Sequence, residues 1–376
     1  MGLGLYLHLP FCPARCPYCD FLAQTYDQGQ ARRLLAGLAL HLPRVAEQAA
    51  GRRLETLYFG GGTPAMLPAA ALAGLLAAIT QAMGIEPGAE VSLEANPGAL
   101  SQAKLGALRA AGFNRLSLGA QSFDPGLLRA LGRRHTPADT RRAAAQARAA
   151  GFSNLNLDLI YGLPGQSPEL AAADLQAALE LKPAHLSLYE LTLNPATPFG
   201  RRYVKGRAPL PSEEAVAAME ARALKVLTAA GLLRYEVSNY ARPGHECRHN
   251  QSTWRGGDYL ALGPGAHGHL AGVRWAWTPE VAAYCAALEA GGEPFAMREE
   301  LSPAQRALEL IMLGLRTTHG VELARLAAVL GADPRRVYAK AIAQMEARGW
   351  ARVGRGRLIP SRRGLAMADA AAALFA

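Results

Sequence analysis

The sequence predicts an α/β protein built on an incomplete barrel of six βα units, followed by a cap region and a C-terminal winged-helix-like domain. Short β-rich runs alternate with Ala/Leu/Arg-rich helical segments over residues 1–205. Prolines and aromatic residues are concentrated in residues 206–300, and three helical segments with a hairpin pattern follow in residues 301–376. These three ranges are the predicted domains.

Six β-rich runs define the predicted barrel strands: LYLHL (5–9), LETLYFG (54–60), EVSLEA (90–95), RLSLGA (115–120), NLNLDLI (154–160) and HLSLYEL (185–191). Strands that alternate with helices pair in parallel through right-handed crossovers. In barrels of this kind the functional residues lie where the strands end. The segments that follow the six runs are therefore the places to look for chemistry.

Composition limits the class of protein and its ligands. The chain has 376 residues, half of them hydrophobic, and 40 Lys and Arg against 30 Asp and Glu, which gives a net charge of +10. This charge favours anionic ligands such as propionates, phosphates, nucleic acid or a lipid surface. An odd number of cysteines argues against a disulfide framework and indicates a reducing compartment. Because no apolar run reaches about 18 residues, we predict a cytoplasmic protein that is at most peripheral to a membrane.

Three cysteines follow the first predicted strand with CxxxCxxC spacing: Cys12, Cys16 and Cys19. Three soft thiolates on one loop suit an iron–sulfur cluster, and a cubane held by three cysteines leaves one iron open. The alternative is a zinc site in which His8 or a remote residue completes the set. Since the remaining cysteines, Cys247 and Cys285, lie far away in sequence, the spacing favours the cluster.

Polar residues and glycines follow the next four strands: the Gly60–Pro64 turn, Glu94, Gln121 and Asp158. Taken singly, these signals are weak, because a glycine-rich turn is usually only a turn and a lone carboxylate is usually solvated. Their coincidence at the ends of successive strands predicts a ligand site at one rim of the barrel.

The CxxxCxxC motif after YLHLPFC resembles the radical S-adenosylmethionine (SAM) family, in the branch that contains oxygen-independent coproporphyrinogen III dehydrogenase and the HemW heme chaperones. The resemblance covers nearly the whole chain and implies an incomplete (β/α)6 radical-SAM barrel with a [4Fe–4S] cluster on the three cysteines. It also implies a set of SAM-binding residues: Tyr6, Gly61, Gly62, Thr63, Glu94, Gln121, Arg133 and Asp158. Arg134 adjoins Arg133, and the sequence leaves open which of the two points inward.

The chemistry of these residues agrees with the implied roles. A carboxylate such as Glu94 or Asp158 can accept both ribose hydroxyls, and Arg133 can pair with the methionine carboxylate. A glycine backbone admits an adenosyl group without a side-chain clash.

The segment Cys247–Trp254 resembles the HNxxYW motif of HemW proteins, although Thr253 stands where the tyrosine is expected. The resemblance implies that His249 contributes to a heme site. On the residues alone, His249 can instead be a histidine that is hydrogen-bonded within the cap. In that case Cys247, His267 or His269 is the candidate to meet the iron.

The predicted C-terminal domain contains three helices, at 303–315, 320–330 and 334–348, and an arginine-rich hairpin at 350–359. The hairpin lacks the interleaved aromatic residues with which single-strand binding proteins stack bases. We therefore predict that this domain docks a protein or a membrane surface and does not read nucleic acid.

The resemblance implies a heme chaperone of HemW type that binds heme, a [4Fe–4S] cluster and SAM and delivers heme to respiratory hemoproteins. The alternatives are a coproporphyrinogen III dehydrogenase or a radical SAM enzyme with another substrate, so the sequence leaves enzyme activity open. The dehydrogenase branch carries CxxxCxxCxC, whereas Phe21 occupies the position of its fourth cysteine here. That branch also has a longer segment before the cluster, and both differences favour the chaperone.

Overall fold

The computed structural model describes residues 2–203 and 210–376. Its first part contains these strands and helices: β1 (Leu3–Leu9), β2 (Phe11–Cys12), β3 (Gln24–Thr25), α1 (Gln28–Gln48), β4 (Leu54–Gly61), α2 (Ala69–Met83), β5 (Ile85–Ala95), α3 (Gln102–Ala111), β6 (Arg115–Gln121), α4 (Pro125–Ala130), α5 (Pro137–Ala149), β7 (Asn154–Tyr161), α6 (Pro168–Glu180), β8 (His185–Glu190) and α7 (Pro198–Tyr203).

The second part continues with these elements: α8 (Glu213–Ala229), β9 (Leu233–Arg234), β10 (Asn239–Ala241), α9 (Arg248–Trp254), β11 (Tyr259–Leu262), β12 (His267–Leu270), β13 (Val273–Trp277), α10 (Val281–Glu289), β14 (Phe295–Glu300), α11 (Pro303–Gly314), β15 (Val321–Glu322), α12 (Leu323–Leu330), α13 (Pro334–Val337), α14 (Ala339–Ala347), β16 (Ala351–Gly354), β17 (Arg357–Pro360), α15 (Arg362–Ala366) and α16 (Ala368–Ala372). Short 3-10 helices lie at Pro64–Met66, Pro97–Ala99 and Ala373–Phe375.

All six strands predicted for the barrel are present, as β1 and β4 to β8. They are parallel neighbours in the order β1, β4, β5, β6, β7, β8. Because all six strands run in one direction, their carboxyl ends meet at one rim, as the βα alternation predicts.

The two faces of these strands carry different residues. On β1, four leucines at alternate positions are almost completely buried: Leu3, Leu5, Leu7 and Leu9. Tyr6 and His8 lie on the other face, and the serines, asparagines and carboxylates of β6 and β7 take the same side. Parallel sheets are usually apolar on both faces. The polar inner face here indicates that the barrel interior is built to hold a polar ligand.

The segment predicted as a cap, residues 206–300, contributes strands to both edges of the barrel sheet. β10 and β9 continue the sheet beyond β8, and β11 to β14 continue it beyond β1. The pairing is physically required because an incomplete barrel leaves two edges of unpaired backbone groups. The sequence predicts only a cover over the mouth for this segment, and the structure shows that it also extends the sheet. The three domain boundaries stay predictions.

The C-terminal part has its own apolar core, which includes Ile311, Leu315, Met345 and Trp350. Helix α11, helix α12 and the hairpin β16–β17 lie where the sequence predicts them, and β15 adds a third strand in the order β15, β17, β16. The third predicted helix is divided at Tyr338 into α13 and α14, and α15 and α16 follow the hairpin. This succession of helices and a hairpin is the arrangement of a winged helix.

The C-terminal part is bonded to the sheet region near Tyr235. Thr318 N donates to Tyr235 O at 3.0 Å, and Val237 N donates to Arg316 O at 2.9 Å. Among the residues that the structure describes, no helix is long and apolar enough to cross a membrane.

Candidate functional site

The three cysteines lie in a closed loop that begins where β1 ends. The parallel pair β2 and β3 joins its two sides, with Phe11 opposite Gln24 and Cys12 opposite Thr25. Within the loop, Cys19 N donates to Cys16 O at 3.1 Å, which makes a tight turn between these two ligands. All three thiols are free and half-buried. The backbone therefore brings the three predicted cluster ligands together.

Two neighbouring segments hold this cysteine loop in place. Phe199 N in α7 donates to Pro17 O at 2.9 Å, and the ring of Tyr18 packs edge-on against Phe199, with 6.4 Å between the centroids. A Cβ atom at Gly132 would lie 2.7 Å from Pro17 Cδ, so the chain after α4 approaches the loop closely because it has no side chain there. The loop is thus fixed by contacts from α7 and from the α4–α5 connection.

The glycine turn after β4 lies directly against the chain that leads into the cysteine loop. Gly62 N donates to Leu9 O at 3.0 Å, and Thr63 N donates to Phe11 O at 2.8 Å. A Cβ atom at Gly62 would be 2.8 Å from Phe11 O, and Gly61 has φ +119, so both positions require glycine. The sequence predicts that these glycines let a ligand approach the backbone closely. In the structure they allow a close approach of the protein's own backbone at Leu9 and Phe11.

The donor set suits an iron–sulfur cluster because it consists of three thiols on one loop. Burial raises the pKa of the Cys12 and Cys19 thiols, while the Thr63 hydroxyl and the Arg133 charge act in the opposite direction on Cys12. No three His, Cys, Asp or Glu side chains in residues 2–203 and 210–376 form a group that could hold a single metal ion. In a cubane each thiolate binds a different iron, so the cluster does not require that arrangement.

A directed chain of hydrogen bonds runs from Arg133 to Cys12. Arg133 Nη2 donates to Asn96 Oδ1 at 2.5 Å and to Gly119 O at 2.6 Å. Because a guanidinium has only donors, Asn96 must turn its oxygen to Arg133 and its Nδ2 to Thr63 Oγ1, at 2.9 Å. The Thr63 hydroxyl accepts there, so its hydrogen is free to donate to Cys12 Sγ at 3.5 Å.

Arg133 also approaches the second ligand directly, with Nη1 3.8 Å from Cys16 Sγ. Arg134 is exposed to solvent. Of the two adjacent arginines, Arg133 is therefore the one that points inward. Asn96 receives no role from the sequence, and its place at the end of β5 is the signal that could have identified it.

We expect Thr63→Val to lower the midpoint potential of the cluster by about 59 mV, a tenfold change in a one-electron equilibrium. Hydrogen bonds to cluster sulfurs favour the reduced, more negative state, and valine removes the donor with little change in volume. A potentiometric titration in the absence of SAM, monitored by electron paramagnetic resonance, measures the shift in midpoint potential. Thr63→Ser keeps the hydroxyl and serves as the control. Equal potentials for wild type and the valine variant would contradict a role for this bond.

Two carboxylates lie at the strand ends inside the barrel. Glu94 accepts from Tyr58 OH at 2.8 Å and from Gly61 N at 3.3 Å, and burial raises its pKa to about 7. Asp158 accepts from Ser117 Oγ at 2.9 Å and Asn156 Nδ2 at 2.8 Å, and burial also raises its pKa. Both groups keep acceptor capacity that the hydroxyls of a ribose could use.

Tyr6 and Gln121 also lie on the inner surface of the predicted SAM site. His8 Nε2 is 3.0 Å from Leu22 O, which only accepts, so the proton is on Nε2 and Nδ1 accepts from Tyr6 OH at 3.0 Å. His8, which the sequence offers as a zinc ligand, thus joins β1 to the end of the cysteine loop. Gln121 ends β6 with φ +66, a conformation that is uncommon for any residue except glycine.

His249 lies beside β1, β4 and β5, with its ring centroid 5.3 Å from that of Tyr58 and 6.4 Å from that of Tyr6. Its Nδ1 is 2.9 Å from Thr56 Oγ1, and its backbone N donates to Glu90 Oε1 at 3.1 Å. The residue is 7% exposed, and burial lowers the pKa of the imidazole to about 4. The cysteines follow the carboxyl end of β1. The alternative has His249 hydrogen-bonded within the cap, but these bonds join it to barrel strands β4 and β5, and its heme role stays a prediction.

The other candidates for contact with heme iron differ in access. Cys247 is fully buried and its Sγ lies 3.4 Å from Glu90 Oε1. His269 is half-buried, with Nδ1 3.3 Å from Gly257 O. His267, in contrast, is exposed, at the start of β12.

Two models of known protein families match the chain. The Radical SAM superfamily model matches residues 6–178, and the HemN C-terminal domain model matches residues 301–367. The barrel and its cysteine loop are therefore those of a radical SAM protein. Over 361 residues the chain is 38% identical to the heme chaperone HemW of Mycobacterium tuberculosis, covering 95% of this chain and 92% of that protein. HemW of Escherichia coli is 41% identical over 270 residues, covering 71% and 70%. The chain belongs to the HemW family.

A solved structure confirms the predicted fold. Coproporphyrinogen III oxidase (HemN) from Escherichia coli superposes with a TM-score of 0.87 and 24% identity, covering 100% of this chain and 90% of that one. At this identity the likeness establishes the fold alone. The predicted family and the incomplete barrel are thus confirmed, and membership of the radical SAM family implies a [4Fe–4S] cluster and SAM as cofactors.

Proposed function

We propose that this protein is a heme chaperone that binds heme, a [4Fe–4S] cluster and SAM and delivers heme to respiratory hemoproteins. The observation that carries the proposal is the 38% identity to the HemW chaperone of Mycobacterium tuberculosis over 95% of the chain. Phe21, which is 69% exposed, supports it, because the coproporphyrinogen dehydrogenase branch has a fourth cysteine at this position.

The residues of the chain divide between the two family cofactors. Cys12, Cys16 and Cys19 would hold the cluster, which supplies one open iron for a small molecule. The inner surface of the barrel would bind SAM through the predicted set: Tyr6, Gly61, Gly62, Thr63, Glu94, Gln121, Arg133 and Asp158. Arg133 can bind a carboxylate in a bidentate manner, and Glu94 and Asp158 can accept hydroxyl hydrogens.

Heme titration and a turnover assay test the proposal. We expect the anaerobically reconstituted wild type to bind hemin and to leave coproporphyrinogen III unchanged when SAM and a reductant are supplied. Absorption spectroscopy measures binding, and chromatography of the tetrapyrroles measures turnover. Formation of vinyl groups from coproporphyrinogen III would establish the dehydrogenase instead, and no hemin binding by folded wild type would contradict the chaperone.

The same titration examines His249. From its buried bonds we expect His249→Ala to lose roughly 1–3 kcal/mol of folding free energy, and the predicted heme role requires a lower heme affinity as well. His267→Ala, which changes an exposed histidine on β12, is the matched control for stability. Thermal unfolding and the heme Soret band give the two readings. A folded His249→Ala protein with unchanged heme affinity and an unchanged Soret band would contradict the heme role implied by the motif.

The C-terminal domain would provide the contact with an acceptor protein or a membrane surface. Its hairpin exposes Arg352 and Arg355 on either side of Val353, which is 37% exposed. Arginine beside an apolar residue suits a protein or a lipid surface with anionic groups. Cosedimentation with anionic vesicles should fall when Arg352 and Arg355 are changed to glutamine. Salt-resistant, sequence-selective DNA binding would contradict this assignment.

A further inference from the structure

A cavity of about 640 Å³ opens beside the cysteine loop. Cys16 and Arg133 form one of its walls, together with Asn96. Of the eight residues predicted to bind SAM, Arg133 lines the cavity and the other seven lie outside its lining. The cavity therefore adjoins the predicted SAM site at Arg133 and is otherwise lined by different residues.

The walls of this cavity carry an excess of positive charge. Four cationic residues line it, against the single carboxylate of Asp139: Lys104, Arg133, Arg134 and Arg142. Arg142 pairs with Asp139, whose carboxylate also accepts from the Thr136 backbone N at 2.7 Å and hydroxyl at 2.8 Å. That one acidic group is thus already used by the cap of α5. Lys104 and Arg134 have no carboxylate partner among the described residues, so an anionic ligand can pair with them, whereas it would share Arg142 with Asp139.

Lys104 is a partly buried cation whose bonded partner is neutral. Its ammonium donates to the carbonyl of Ala65, a neutral acceptor, and burial lowers its pKa. A cation that is held by a carbonyl inside a cavity gains from a carboxylate ligand, because a charge-assisted bond is stronger than a neutral one. Lys104 therefore marks one anchoring point, and the exposed Arg134 offers a second on the same cavity.

Apolar residues line much of the remaining wall, beside Ser101 and His135: Pro13, Ala65, Met66, Ala99 and Leu100. A volume of this size is in the range of ordinary cofactor sites. Apolar walls next to several cations fit a ligand with a large apolar body and at least two carboxylates.

We propose that this cavity binds heme through its two propionates, with Lys104, Arg134 and Arg142 as the anionic-group contacts and the apolar walls against the macrocycle. The inference rests on the proposed function, since it names the place where the heme of a chaperone is held. It makes the propionates the recognised groups. Iron-free protoporphyrin IX should therefore bind here as well, whereas its dimethyl ester should not.

The test uses the full chain with its cluster reconstituted and the variant Lys104→Gln/Arg134→Gln/Arg142→Gln. A matched control, Arg32→Gln/Arg148→Gln/Lys225→Gln, removes the same charge from exposed positions on α1, α5 and α8. Hemin, protoporphyrin IX and protoporphyrin IX dimethyl ester are titrated into each protein. Iron content, SAM affinity and circular dichroism confirm that the site and the fold are intact.

We expect the cavity variant to bind hemin and protoporphyrin IX at least tenfold more weakly than wild type, because each lost charge-assisted bond corresponds to about tenfold or more in affinity. The control should bind both as wild type does, and wild type should prefer the free acid to the ester. Equal hemin affinity in the cavity variant and wild type, or equal affinity of wild type for acid and ester, would overturn the cavity assignment while leaving the chaperone function standing. Absence of hemin binding by wild type would overturn both.

Discussion

Cys16→Ala is expected to abolish the iron–sulfur cluster, with iron falling from about four atoms per chain to near zero after anaerobic reconstitution. The loop offers three thiols, and Cys16 occupies the turn to which Cys19 N is bonded at 3.1 Å. A cubane that loses one of three protein ligands exposes a second iron to solvent and oxygen. Iron and sulfide analysis of the purified protein measures the loss directly.

Cys285→Ala is the matched control for that experiment. Cys285 is fully buried against α1, and its Sγ is 3.6 Å from Arg33 O, so the change removes a thiol without touching the cysteine loop. This variant should keep its full iron content. A cluster that survives in Cys16→Ala, or stoichiometric zinc in wild type, would contradict the assignment of the three cysteines to iron.

Asp158→Ala is expected to weaken SAM binding at least tenfold. The carboxylate accepts from Ser117 and Asn156, and burial raises its pKa. Loss of one hydrogen bond to a charged group typically costs roughly 1.5–3 kcal/mol, which corresponds to about tenfold to a hundredfold in affinity.

Calorimetric titration of SAM into cluster-loaded protein measures the effect. Asp158→Asn separates loss of charge from loss of the side chain, because asparagine keeps the approximate shape. Asp369→Ala removes an 86% exposed carboxylate from α16 and should leave SAM affinity unchanged. If Asp158→Ala binds SAM as tightly as wild type does, Asp158 is not part of the site.

The barrel strands could be predicted because four of the six runs alternate leucine with another residue over about five positions, as in LYLHL, and helical segments separate all six. Strands β9 and β10, which continue the sheet beyond β8, could not, since β9 has two residues and β10 has three. Strands this short carry no periodic signal, and their pairing is decided by the open edge of β8. The prediction of a cap rests on the concentration of prolines and aromatic residues, which does not indicate how backbone strands pair.

The candidate site is likewise only partly predictable from the sequence. The spacing of Cys12, Cys16 and Cys19 is local, so the loop could be predicted from the sequence. The role of Asn96 depends on Arg133 and Thr63, which come from different strand ends, and no spacing rule relates them. His249 stands in a recognisable motif, but a motif does not specify on which side of a sheet a side chain is buried.

Tyr235 has a consequence for the way the protein unfolds. Its backbone oxygen accepts from Thr318 N at 3.0 Å in the C-terminal part, and its hydroxyl lies 2.8 Å from His185 Nε2 and accepts from Cys247 N at 3.3 Å inside the barrel. One residue thus spans two apolar cores, and opening either side removes bonds from the other. The amides of Thr318 and Cys247 should therefore exchange with solvent deuterium in a single cooperative step, as members of one folding unit.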